Sequence, residues 1–175
     1  FFEIRVAGLK HQLASFHEET GADGMTPARV LSEVSRIGHE QVERQYRILN
    51  DVLVPALEEQ KIRFRRRAQW TPEQAAWVAD YFEEEIAPVI SPIGLDPSHP
   101  FPRLVNKSLN FIVELEGTDA FGREGGMAIL PAPRSLPRLI RLPEALCEAG
   151  FTDYVFLSSM IHAHAHEVFP GMEVE

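Results

Sequence analysis

The sequence predicts an α+β fold: a long-helix bundle or hairpin first, then an α/β part with a mainly antiparallel sheet. Three observations predict it. Apolar residues recur at steps of three and four through roughly the first sixty positions. Near residue 61 the period falls to two. Beyond residue 108, short alternating or apolar runs are separated by turn residues. The chain therefore divides into a helical part, residues 1–60, and an α/β part, residues 61–175.

In FFEIRVAGLKHQLASF, the residues Phe2, Val6, Leu9, Leu13 and Phe16 lie on one helical stripe. ETGADGMTP (19–27) is a loop, and Thr26 with Pro27 begins the next helix as N-cap and first-turn proline. The stripe Val30, Val34, Ile37, Gln41, Tyr46, Leu49, Leu53, Leu57 then runs for roughly thirty residues. That is far longer than the ~11–12 of an average helix. A helix of this length predicts a hairpin or bundle reaching out of its own globule, with Pro55 bending its last turns.

Ile62 and Phe64 alternate with Lys61, Arg63 and Arg65, the pattern of a short strand. In WTPEQ, Thr71 as N-cap, Pro72 at N1 and Gln74 at N3 form a capping box. Val78, Phe82 and Ile86 carry that helix to about Ala87, where Pro88 ends it. Five prolines make residues 88–108 an ordered loop or linker. Leu109, Phe111, Val113 and Leu115 share one face of a strand, and GTDAFGREGG (117–126) turns it into the run GGMAILPAP as an antiparallel hairpin. RLIRLP and DYVFL are two further strands.

Composition excludes several classes. The formal net charge of −9 argues against a general nucleic-acid binder. No segment approaches the ~20 apolar residues of a membrane span, and no signal peptide is visible. The single cysteine, Cys147, rules out an internal disulfide framework and reads as an inert, buried or half-buried thiol of a reducing compartment. Neither a Walker loop, nor G-x-G-x-x-G, nor G-x-S-x-G occurs. The chain starts inside an amphipathic pattern without a methionine and is read as a piece of a longer protein.

Two cationic strings stand against the acidic background. KIRFRRR (61–67) holds five cations in seven residues. Arginine forks match phosphate oxygens, although a solvated loop edge is the commoner role for such a string. In FPRLVNKSLNF, Arg103 and Lys107 precede a strand, a frequent mounting for functional residues. Arg134, Arg138 and Arg141 form a further group whose spacing implies no single face.

HAHAHE (162–167) raises the question of a metal. On a strand, His162, His164 and His166 would share a face as a zinc comb. The flanks favour a helix over 158–169, because Leu157, Ile161, Ala165 and Val168 recur at helical steps and Gly171 supplies a stop. His164 then flanks the buried stripe as a hydrogen-bonded, partly buried residue. His162 and His166 leave two positions of a four-coordinate site unfilled, so no metal site is expected. A stand-alone histidine-rich metal-binding domain is the alternative.

The strings FFEIRVAGLK, RQYRILNDVLVPAL, LDPSHPFPRLVNKSLNFIV and FLSSMIHAHAHEVFPGM together resemble bacterial polyphosphate kinase of the long, histidine-phosphorylating type, over the whole chain. The resemblance implies an enzyme that moves the terminal phosphate of ATP to inorganic polyphosphate, reversibly, through a phosphohistidine. It implies that residues 1–60 end the N-terminal helical domain and that 61–175 are most of the middle, or head, domain, cut at its C-terminus. ATP and Mg²⁺ would belong to the parent enzyme. The phosphorylated histidine and its magnesium-binding neighbours would lie in phospholipase-D-like C-terminal domains, outside these residues. No catalytic, cofactor-binding or metal residue carries over. The implied role is a non-catalytic one in dimerisation and in walling a polyphosphate tunnel, in a cytoplasmic enzyme with peripheral membrane association as a further expectation. The implied partners are a second copy, the C-terminal catalytic domains and polyphosphate. Arg103, Lys107, Arg63 and Arg65 are the candidates to contact polyphosphate.

Overall fold

The structure, a computed structural model, describes residues 1–15, 20–21, 24–96, 98–118 and 124–174. It has helices followed by two sheets, the α+β class that the change of period predicts. The chain forms two compact units, Phe1–Ala56 and Leu57–Glu175.

In the first unit, a π-turn over Phe2–Val6 leads into α1 (Ala7–Ala14), which packs on α2 (Pro27–Ile48) as a helical hairpin. Phe16 and part of the connecting loop fall outside the described residues. The Thr26 side chain caps α2 by accepting the Arg29 N–H at 3.4 Å, and Pro27 stands in the first turn. Of the predicted stripe, Val30 and Val34 are half-buried, whereas Tyr46 is 61% exposed.

A second π-turn spans Leu49–Leu53 before α3 (Val54–Glu59). A third, Phe82–Ile86, follows α4 (Pro72–Tyr81). Each of these two stops two residues before a proline, Pro55 or Pro88. The proline ring has no N–H to give and collides with the carbonyl four residues back, so the turn widens there. Lys61 ends the helical stretch with φ of 64°, in the left-handed region where glycine is usual.

The second unit carries two sheets. One has the order β1 (Ile62–Arg65), β6 (Thr152–Phe156), β5 (Leu139–Arg141), with β1 parallel and β5 antiparallel to β6. The other is antiparallel throughout, in the order β2 (Ile93–Leu95), β4 (Glu124–Pro131), β3 (Asn110–Thr118), β7 (Met172–Val174). The predicted alternation holds in β3, where Val113 is buried and Ile112 exposed. The tip of the β3–β4 connection, residues 119–123, lies outside the described residues. Two strands were not predicted, β2 inside the proline-rich stretch and β7 after Gly171. Both obtain their hydrogen bonds from strands distant in sequence.

The capping box that opens α4 is present in both directions. Gln74 N–H donates to the Thr71 hydroxyl at 3.2 Å, and Thr71 N–H donates to Gln74 Oε1 at 3.1 Å. Gln74 also donates from Nε2 to the Leu146 carbonyl at 2.8 Å, which ties α4 to a loop before β6. Val78, Phe82 and Ile86 are fully buried against Leu130, Val155, Leu157 and the inner face of α5 (Leu157–His164).

Candidate functional site

The cationic strand β1 meets an acid on its neighbour. Strand alternation puts Arg63 and Arg65 on one face, and the parallel register sets Arg63 beside Asp153. Arg63 Nε donates to Asp153 at 2.7 Å and its Nη2 donates to the second carboxylate oxygen at 3.1 Å. Arg65 Nε adds a bond of 3.0 Å to the same oxygen. Glu148 takes Arg63 Nη1 at 2.7 Å, and the Phe151 ring lies 3.7 Å below the guanidinium carbon.

Asp153 is fully buried. Burial alone pushes its carboxyl up, but hydrogen bonds from Arg63 and Arg65, with their charges, outweigh it and hold the group below the ordinary carboxylate range. The Asp153 bonds in turn raise the Arg63 guanidinium further above its ordinary value. Sequence reasoning missed this partner. The available signal was an acid on a strand whose neighbour two positions on, Val155, is apolar.

Arg103 and Lys107 lie elsewhere in the second unit, both exposed. Lys107 has φ of 58°, so it sits in a left-handed turn closed by the Ser108 N–H bond to the Val105 carbonyl, 3.2 Å. The Ser108 hydroxyl donates to the same carbonyl at 2.6 Å, and Asn110 Nδ2 donates to that hydroxyl at 2.9 Å. This turn forms one wall of a cleft of about 260 Å³ that Arg103 lines. Arg134, just past the end of β4, lines the same cleft.

The histidine string is helical, as its apolar flanks predict: α5 ends at His164 and a tight turn covers Ala165–Val168. Leu157, Ile161 and Ala165 are buried. The His164 side chain, 15% exposed, pairs through Nδ1 with Glu167 at 2.6 Å and stacks on Phe82 with ring centroids 5.3 Å apart. His162 is exposed and accepts from Arg67 Nη1 at 3.1 Å. Among the described residues, no three or more His, Cys, Asp or Glu gather as a metal-ion site. Cys147 is half-buried, its thiol donating to the Pro143 carbonyl at 3.3 Å.

Residues 1–65 match the model of the polyphosphate kinase N-terminal domain, and residues 73–175 match that of the polyphosphate kinase middle domain. Over all 175 residues the chain is 63% identical to a polyphosphate kinase of Pseudomonas putida and 49% identical to one of Neisseria meningitidis, of which it covers 24% and 25%. The crystal structure of polyphosphate kinase from Porphyromonas gingivalis superposes with a TM-score of 0.78 at 30% identity, covering the whole chain and 25% of that one. The chain thus spans about a quarter of the length of the relatives that it matches.

Proposed function

The chain belongs to the polyphosphate kinase family, and we propose that it is a non-catalytic part of an enzyme that transfers the terminal phosphate of ATP to inorganic polyphosphate, reversibly, through a phosphohistidine. The observation that carries this is the match of two successive family domains along the chain. In this reading the residues help to wall a polyphosphate path and to join two copies of a cytoplasmic enzyme. No helix among the described residues is long and apolar enough to cross a membrane.

Phosphoryl transfer needs cations and magnesium positioned around the reacting phosphates. Of the four candidate polyphosphate contacts, Arg63 and Arg65 already serve the Asp153 carboxylate, which favours Arg103. Contacts by such exposed cations weaken with salt, because they are screened beyond ~8 Å at physiological ionic strength.

The test follows labelled γ-phosphate from ATP into acid-insoluble polyphosphate. The full-length enzyme carrying these residues is expected to make polyphosphate, and the 175-residue chain alone to make none. Synthesis by the short chain would overturn the non-catalytic role. Failure of the full-length enzyme would overturn the activity.

A further inference from the structure

Arg134 and Arg103 are 31 positions apart in sequence, yet they line one cleft of about 260 Å³. Each follows a proline, Pro102 or Pro133, whose ring fixes one backbone angle beside it. The backbone around them is tied down as well. The Ala132 N–H donates to the Leu109 carbonyl at 2.9 Å, and the Ser108 and Asn110 bonds hold the opposite wall. The backbone that carries the two arginines is thus held in place, which brings both side chains to one rim.

The charge of this cleft runs against that of the chain. The sequence has 26 Asp and Glu residues and a net charge of −9, but none of the residues lining the cleft is acidic. Among the described residues, neither Arg103 nor Arg134 pairs with a carboxylate. Two arginine forks without counter-charge match an anion with several oxygens, each fork able to take two. Lys107 stands in the turn between Val105 and Ser108, which both line the cleft.

The lining selects among phosphate ligands. It offers two arginine forks and no aromatic ring on which a base could stack, which favours bare phosphate units over a nucleotide. We infer that Arg134 and Arg103 form a subsite for units of an inorganic polyphosphate chain, in which Arg134 is a determinant that the sequence did not single out for this role. The inference rests on the polyphosphate reading above.

The experiment uses the full-length enzyme, with ATP formation from ADP and long-chain polyphosphate measured for the Arg134→Ala, Arg134→Lys and Arg103→Ala variants. Arg141→Ala is the control, an exposed arginine of the other sheet. Arg134→Ala and Arg103→Ala are each expected to raise KM for polyphosphate about tenfold, equivalent to ~1.4 kcal/mol, with kcat and KM for ADP little changed. Arg134→Lys keeps the charge without the fork and should recover only part of the loss. Urea midpoints equal to wild type exclude a folding defect, and Arg134→Lys serves if the alanine variant is unstable. An Arg134→Ala enzyme that behaves like Arg141→Ala, or that changes KM for ADP instead, overturns the subsite and leaves the family activity standing. A wild-type enzyme that neither uses nor binds polyphosphate overturns the functional reading and the subsite together.

Discussion

Arg63 and Asp153 sit side by side on parallel strands, with the guanidinium Nε 2.7 Å from a carboxylate that has no solvent exposure. Arg65 binds the same carboxylate from the same face. The three residues join β1 to β6 by side chains as well as backbone. Removing the acid takes away the carboxylate that Arg65 bonds and leaves Arg63 with Glu148 alone, against a packed interior. Breaking a buried pair in this way costs ~3–5 kcal/mol. The arginine heads keep some solvent, 12% and 22%, which moves the expectation to the lower end. Asp153→Ala should therefore lose about 3 kcal/mol in urea unfolding at neutral pH. A loss well under 1 kcal/mol would show the pair to be incidental.

The same carboxylate gives the stability a pH dependence. Its folded pKa lies below the unfolded value of ~3.9, because the arginine bonds outweigh the cost of burial. A depressed acid contributes stability that is fully present above the unfolded pKa and is lost as pH falls through the folded one. The gap in unfolding free energy between wild type and Asp153→Asn should be constant from about pH 7 to 5 and narrow below about pH 4. Unfolding midpoints of both proteins across that range measure it. A gap that widens on acidification would contradict the sign.

Local chemistry was legible in the sequence, and distant pairing was not. The start of α4 could be read from WTPEQ because cap, proline and reciprocal glutamine act within four residues. The helical state of HAHAHE followed from the apolar steps on either side of it. Strand β2 could not be read. Ile93–Leu95 lies among prolines and becomes a strand only because Met127–Ile129 offers it hydrogen bonds. The site divides in the same way. Arg63 and Arg65 were visible as an alternating cationic strand, but the acid between them comes from a strand some ninety positions on. The cleft shared by Arg103 and Arg134 depends on where β4 ends relative to the turn at Val105–Ser108. No spacing rule encodes that.

Gly125 is a position where one methyl group should be costly. Leu115 pairs with Gly126 and Thr118 with Glu124, so Glu116 and Gly117 of β3 stand opposite Gly125 alone, a β-bulge. The bulged backbone leans in so far that a Cβ on Gly125 would meet the Leu115 carbonyl oxygen, with the Glu116 Cα at 3.1 Å. Both obstacles are main chain and cannot rotate away. Overpacking of this kind costs ~1–3 kcal/mol. At ~2–4 °C per kcal/mol for a chain of this size, Gly125→Ala should lower the melting temperature by several degrees. Gly126→Ala is the control, since no atom beyond its chain neighbours lies within 4 Å of a Cβ there. Equal melting temperatures for the two variants would remove the steric argument.

The histidines should neither require zinc nor respond to it. In α5 the nitrogens are drawn apart: His162 Nδ1 towards Arg67 at 3.1 Å, and His164 Nδ1 towards Glu167 at 2.6 Å. His164 is also fixed by its stack on Phe82, a buried residue of the core. Zinc would have to displace these partners and still find a tetrahedral set of four ligands. The residues should instead separate by their structural roles. His164→Ala removes a half-buried ring and its bond to Glu167, and should cost about 1–2 kcal/mol. His162→Ala, on the exposed face, should stay within ~0.5 kcal/mol of wild type. A native site would be visible through linkage, since a metal at a hundred times its Kd adds ~2.7 kcal/mol to folding. Protein purified without a histidine tag should therefore contain no stoichiometric zinc by elemental analysis, and its melting temperature should not rise when zinc is added. One zinc per chain, or a rise abolished by both His162→Ala and His166→Ala, would restore the metal reading of HAHAHE.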